Sequence, residues 1–251
     1  MKIARFTSSK HEEQYGWILE KEIGLIEGDI FNEYRRLETE IQLDKVRLLP
    51  PVVPGKIICV ARNYVEHALE RHVQVPETPM IFLKPSTAII AINETIQIPP
   101  QSNQVEHEAE LAVIIGKAGR WIDIEDANDH IFGYTIGNDV TARDLQQNES
   151  QWTRAKGFDT FCPLGPWIET ELDLTDLLIT CRVNGELRQM ASTKEMIFPV
   201  TQLVAYVSNI MTLLPGDVIL TGTPAGVGSL EKGDKVEITI EGIGSLTNTV
   251  G

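Results

Sequence analysis

The stretch that decides the reading is Val105-Glu106-His107-Glu108-Ala109-Glu110-Leu111-Ala112-Val113-Ile114-Ile115. Read as a strand, its side chains alternate between faces, so Glu108 and Glu110 share a face with Ala112 and Ile114. That face passes from two carboxylates straight into small apolar residues. Two anions so close on a semi-buried surface repel, and desolvating either is costly unless it is neutralised. A hard divalent cation neutralises both, because carboxylate oxygens are what Mg²⁺, Mn²⁺ and Ca²⁺ bind. The competing reading is a strand edge whose glutamates are simply solvated. On this stretch alone both stand.

Moving outward adds chemistry on either side. Downstream, Ile131–Asp139 reads as a strand that arrives at an acid after Gly133 and Gly137. Asp139 is then a third ligand, or a helix N-cap. Lys156 sits among aromatic and small residues, either stabilising a developing oxyanion or reaching to solvent. Upstream, Lys56–Val60 reads as a short buried strand that exits through Arg62-Asn63-Tyr64. Asn63 can cap a helix with Glu66 three residues on. On that helix His67 and Glu70 share a face at i,i+3, as a general base with its orienting carboxylate or as a surface pair of no consequence. The Pro-punctuated segment 73–79 that follows fits a mobile lid.

The remaining chain supplies a β-rich frame. Strands are expected at Lys2–Phe6, Gly16–Leu19 and Gly24–Glu27, and a polar helix around Asn32–Glu40. Pro50-Pro51-Val52-Val53-Pro54-Gly55 marks a boundary, dividing a small N-terminal domain (1–52) from the main one (53–251). Further strands are expected at Met80–Lys84, Thr87–Ile92, Glu94–Ile98, Leu177–Val183, Val218–Thr221, Lys235–Glu241 and Ser245–Val250, with a hairpin turn at Asn184-Gly185. Helices are expected at Asp123–His130 and Pro199–Leu213, and 161–168 reads as a turn-rich approach. The loop Gly222–Gly228 offers backbone N–H groups to an anion.

Composition narrows the classes. With 251 residues, 42% of them hydrophobic and 23% charged, the chain can bury a sizeable core. A net charge of −14 with no basic cluster argues against nucleic acid. Three scattered cysteines, no apolar leader and no membrane-length segment point to a soluble, cytoplasmic protein with reduced thiols. No serine-hydrolase elbow, zincin motif or Walker loop is present. The chemistry falls to carboxylates, one or two histidines and a lysine.

In combination, six motifs resemble the fumarylacetoacetate hydrolase family across Lys56 to Val250. They are Arg62-Asn63-Tyr64 with His67 and Glu70; Phe82-Leu83-Lys84-Pro85; Glu108-x-Glu110-Leu111; Asp139-Val140-Thr141-Ala142-Arg143-Asp144; Lys156-Gly157-Phe158-Asp159; and Leu220-Thr221-Gly222-Thr223-Pro224. Ala61, where a Gly often precedes the Arg, is a departure that touches none of the implied roles. The resemblance implies an α+β fold, a β-rich mixed roll or sandwich with few helices behind a small N-terminal β domain, assembled as a homodimer. It implies Mg²⁺ or Mn²⁺ on Glu108, Glu110 and Asp139, His67 and Glu70 on a lid, and Lys156 lining the site. Arg62, Tyr64, Arg143, Gln146 and Thr223 are then expected to contact a small 2-oxo or dioxo carboxylic acid. The expected reaction is C–C hydrolysis of an acylpyruvate, such as fumarylpyruvate or acetylpyruvate, by way of an enolate at the metal. The alternatives are isomerisation or decarboxylation of 2-hydroxyhepta-2,4-diene-1,7-dioate, tautomerisation or decarboxylation of oxaloacetate, and a non-catalytic metal and oxo-acid binding protein.

Overall fold

The computed structural model describes residues 1–8 and 12–251. The regular structure of the described residues lies mainly in three sheets, with four short α-helices: α1 (Val65–Glu70), α2 (Arg143–Asn148), α3 (Thr153–Lys156) and α4 (Val200–Ile210). The largest sheet runs, in spatial order, Tyr34–Gln42, Glu22–Gly28, Glu13–Leu19, Lys2–Thr7, Cys162–Glu169, Ile131–Asn138, Ala109–Ile115, Val218–Leu220, Ile57–Ala61 and Met80–Lys84. A second sheet orders Glu186–Ser192, Leu178–Val183, Lys235–Ile240, Gly244–Val250 and Thr95–Ile96. A small third one joins Thr141–Ala142, Val105–His107 and Gly228–Ser229. The fold is β-rich with few helices.

The strand Ala109–Ile115 lies inside the large sheet and is buried along its whole length. Leu111, Val113 and Ile115 enter the core between the two larger sheets, with Val204 and Val207 of α4 and Ile238 and Ile240. Ala112 and Ile114 face a second core with Ile57, Cys59, Leu164 and Leu220. Each such aliphatic side chain contributes roughly 1.5–3 kcal/mol by leaving water. A solvated edge is therefore not available to Glu110, whose neighbours along the strand are buried on both faces. α4 forms because its buried residues Val200, Leu203, Val204, Val207 and Ser208 recur with helical period.

The N-terminal strands form an antiparallel meander that joins the large sheet through Lys2–Thr7 and Cys162–Glu169. The helix expected around Asn32–Glu40 is instead the strand Tyr34–Gln42. Leu37, Thr39 and Ile41 are half-buried and alternate with exposed neighbours, so period two outweighs helical propensity, and Trp17 Nε1 donates to Leu37 O at 2.8 Å. Residues 161–168, expected as turns, largely form the strand Cys162–Glu169, while Asp123–His130 yields only a 3₁₀ turn at Ala127–His130. The Asn184-Gly185 hairpin is present, both residues at positive φ (53° and 82°), as a two-residue turn of this hand requires. No helix among the described residues is long and apolar enough to cross a membrane.

Candidate active site

The decisive stretch does not run as one strand. It breaks at Glu108, between Val105–His107 in the small sheet and Ala109–Ile115 in the large one. The break is stitched to the end of the neighbouring strand: Glu108 N donates to Asn138 Oδ1 at 3.0 Å, and Asp139 N donates to Glu108 O at 2.9 Å. These bonds bring Asp139 alongside Glu108. Asp139 is no helix cap, since α2 begins only at Arg143. Oxygens of Glu108, Glu110 and Asp139 lie within 4.8 Å of one another, and all three residues are buried.

The loop after Val218–Leu220 closes the other side. Thr221 N donates to Leu111 O at 3.1 Å, Thr223 Oγ1 to Ala109 O at 2.9 Å and Gly222 N to Glu110 Oε2 at 2.7 Å. Gly222 has φ +95°, and a Cβ there would sit 2.7 Å from Asn63 Cβ, so only glycine lets this backbone approach the carboxylate. Asn63, expected as a helix cap, serves this closure instead. Its amide donates to Thr221 O (2.8 Å) and Phe198 O (3.0 Å) and accepts from Phe198 N (2.8 Å), while Tyr64 stands at the N-terminal boundary of α1.

Two buried lysines meet the acids. Lys156 Nζ donates to Glu108 Oε2 (2.8 Å) and Asp139 Oδ2 (2.7 Å), and Lys84 Nζ donates to Asp139 Oδ1 (2.6 Å) and Val140 O (3.1 Å). Lys156 also lies 5.0 Å from the centre of the Phe82 ring. Arg143 spans Glu106 (Nε to Oε2, 2.7 Å) and Glu108, and also holds Gln146. Arg71, just past α1, pairs with Glu106 as well. Burial opposes the charge of Lys156, but Asp139 and Glu108 outweigh it and raise its pKa. Burial likewise opposes the charge of Glu108, yet Lys156 and Arg143 hold its carboxyl well below the usual range.

Glu110 behaves oppositely: burial, then Asp139 and Glu108, push its carboxyl well above the ordinary value. One of its oxygens takes the Gly222 N–H, and among the described residues no side-chain cation pairs with it directly. A third carboxylate held in this way is stable as an anion only beside further positive charge. The donor set is all oxygen, and a divalent cation among the three would remove the opposition to ionising Glu110. The residues fit Mg²⁺ or Mn²⁺.

A cavity of about 240 Å³ opens onto the triad and is lined also by Arg62, His67, Arg71, Arg143, Gln146, Lys156 and Thr223. His67 is 6% exposed, and its Nδ1 lies 3.2 Å from Glu70 Oε2. A carboxylate accepts only, so Nδ1 carries the proton and Nε2 is left as a lone pair. Burial lowers the His67 pKa against the pull of Glu108 and Glu70. Glu70 Oε1 accepts from Gly226 N at 2.9 Å, pinning α1 to the Gly222–Gly228 loop. Tyr64 is the expected contact that does not line the cavity. It is 2% exposed, and its hydroxyl is buried without a partner.

Two residues with no role assigned from sequence prove central. Lys84 stood inside a quoted motif, but a lysine closing an apolar strand gives no sign of its partner. Gln189 is fully buried and makes four bonds. Its Oε1 accepts from Ala109 N (3.0 Å) and meets His107 Nδ1 (3.0 Å), while Nε2 donates to Thr223 Oγ1 (2.7 Å) and Pro224 O (2.8 Å). It ties the strand of the two glutamates to the loop that closes over them. Nothing in its local sequence signals this.

Fold and site together define a β-rich frame in which three buried carboxylates and a buried histidine share one cavity. Residues 56–251 match the family model "Fumarylacetoacetate (FAA) hydrolase C-terminal", and residues 1–51 match "Rv2993c-like, N-terminal". The chain belongs to the fumarylacetoacetate hydrolase family. It is 45% identical over 232 residues to the mitochondrial oxaloacetate tautomerase of Bos taurus, covering 86% of this chain and 74% of that one. The structure of a 5-carboxymethyl-2-hydroxymuconate delta-isomerase from Mycobacterium smegmatis superposes with a TM-score of 0.92 at 46% identity, over 100% of this chain and 99% of that one. A fumarylacetoacetate hydrolase from Exiguobacterium antarcticum superposes with a TM-score of 0.87 at 38% identity, over 100% and 99%.

Proposed function

We propose that the protein is a divalent-metal-dependent enzyme that moves a proton at the carbon beside the 2-oxo group of a small 2-oxo carboxylic acid, a tautomerase or double-bond isomerase. The observation that carries this reading is the buried His67, its Nδ1 on Glu70, sharing one cavity with the three carboxylates. Glu108, Glu110 and Asp139 would hold Mg²⁺ or Mn²⁺, which supplies Lewis acidity to the 2-oxo carboxylate. His67 Nε2 takes the proton from the neighbouring carbon, and Glu70 stabilises the imidazolium that forms. Lys156 holds Glu108 and Asp139 in place through one hydrogen bond to each. Thr223 has little left to give a substrate, since its hydroxyl donates to Ala109 O and accepts from Gln189.

Hydrolysis of an acylpyruvate, the reaction first expected from the family resemblance, becomes the second reading. The same His67 would then activate water. What supports the reordering is that the tautomerase and the isomerase stand at 45% and 46% identity and the hydrolase at 38%. The test follows the ultraviolet band of enol oxaloacetate, of a 2-hydroxydienedioate and of an acylpyruvate with Mg²⁺, identifying products by mass. Accelerated, mass-neutral decay is the expected result. Release of pyruvate and a free acid from an acylpyruvate, with no mass-neutral reaction, would replace this reading with hydrolysis.

A further inference from the structure

Glu106 is a buried acid that stands next to the triad and takes no part in it: it is 3% exposed and is not among the residues that line the cavity. Its backbone is fixed on both sides, because Val105–His107 is the central strand of the small sheet and Glu106 pairs there with Thr141 and with Ser229. Both oxygens of its side chain are engaged. Oε1 accepts from Gln104 Nε2 at 2.7 Å, while Oε2 accepts from Arg143 Nε at 2.7 Å and also from Arg71 Nη2. Two guanidinium groups thus converge on one carboxylate oxygen.

Each guanidinium leads to a different wall of the cavity. Arg143 continues from Glu106 to Glu108 of the triad. Arg71 follows α1, and its backbone N–H donates to His67 O at 3.1 Å, so whatever holds Arg71 also holds the last turn of α1 and His67 with it. A full negative charge is what lets both cations approach a single oxygen. With a neutral group in its place the two would repel. Arg71, whose side chain is 25% exposed against 5% for Arg143, is then the one with water to retreat to.

We propose that Glu106 is a positioning residue: by holding Arg71 and Arg143 on one oxygen, it fixes His67 relative to the triad. This rests on the reading of His67 as the base. The test compares the wild type with Glu106→Gln, Arg71→Met, Arg71→Lys and the double variant of the first two, all with Mg²⁺ present. One readout is hydrogen exchange of the amides of residues 65–73, with those of α4 as reference. The other is turnover of the oxo acid that reacts in the assay above, with Mg²⁺ affinity measured alongside by calorimetry. Exchange over 65–73 is expected to rise at least ~10-fold in Glu106→Gln and in Arg71→Met, and no further in the double variant, while α4 is unchanged. In both single variants kcat should fall roughly 10–100-fold with Mg²⁺ affinity little changed, and Arg71→Lys should regain most of the loss. Arg71→Met leaves Glu106 paired with Arg143 and Gln104, so it keeps the test readable if Glu106→Gln fails to fold. Unchanged exchange in both single variants overturns the inference, as does an effect confined to Glu106→Gln. Full rates in both while His67→Ala is slow overturn it and leave the base in place. If His67→Ala also keeps its full rate, or the wild type turns over no oxo acid, the reading beneath falls as well.

Discussion

The acid triad and α1 supply two walls of one cavity, and they are built to opposite rules. Around the triad, almost every polar atom is spoken for: Asp139 by two lysines, Glu108 by Lys156 and Arg143, and the strand and loop by Gln189. α1 is six residues long and buries only His67 and Ala68. Its polar ties are Glu70 to Gly226 N and, just beyond it, Arg71 to Glu106. The difference teaches where each task resides. A buried charge cluster has one low-energy arrangement, which suits holding a metal. Under the function proposed above, this short helix is the part of the cavity that would present His67 to substrate.

The strongest way to break that contrast is at Asp139. Asp139→Ala leaves Lys84 and Lys156 facing fewer anions in a dry site and should cost about 3–5 kcal/mol of stability by urea denaturation, with Mg²⁺ binding abolished. A loss below 1 kcal/mol would mean that the cluster is not the rigid element supposed. On the other wall, His67→Ala should slow turnover by roughly 10²–10⁴-fold while Mg²⁺ affinity and the unfolding midpoint stay put. If calorimetry showed metal binding falling in parallel, the two walls would not be separable.

Gln189→Leu sharpens the contrast, because it touches no ligand atom yet frees the loop from the strand. It should weaken Mg²⁺ binding about 10–100-fold in a fluorescence titration, and unchanged affinity would reduce Gln189 to a packing residue. pH provides a milder probe. Glu110 is raised, so without metal its contribution to stability is present below the ordinary carboxylate range and lost as pH rises through its folded pKa. Metal binding must displace that proton, so Mg²⁺ affinity should fall by up to about tenfold per unit as pH drops below the folded pKa. A pH-independent affinity would show Glu110 ionised before the metal arrives. The smallest effect lies far from both walls. The exposed pair of Arg35 with Glu27 (2.6 Å) joins the edge strand Tyr34–Gln42 to its neighbour, and Arg35→Ala should change stability by less than about 1 kcal/mol in a thermal melt.

What could be read in advance follows how far each signal extends along the chain. Strand alternation at Lys235–Ile240, the hairpin at Asn184-Gly185 and the apolar stripe of α4 are local patterns, and each appears where expected. Tyr34–Gln42 was misread because its polar residues carry a helical composition, while its alternation matters only once Glu22–Gly28 pairs with it. The same division runs through the site. The spacing of Glu108 and Glu110 and the i,i+3 pairing of His67 with Glu70 are each local along the chain. The partnerships of Lys84 with Asp139, 55 residues apart, and of Gln189 with Ala109, 80 apart, exist only across elements.

By itself, then, the sequence determined the chemistry on offer: carboxylates at strand spacing, a histidine beside a glutamate, and no basic surface. Tertiary structure decided which groups stay charged. Burial drives Glu110 up while two cations hold Glu108 down, although the two lie two residues apart on the same stretch. Sequence separation says nothing about local dielectric or about which cation arrives from a distant strand, and those two terms set the charge of a buried acid.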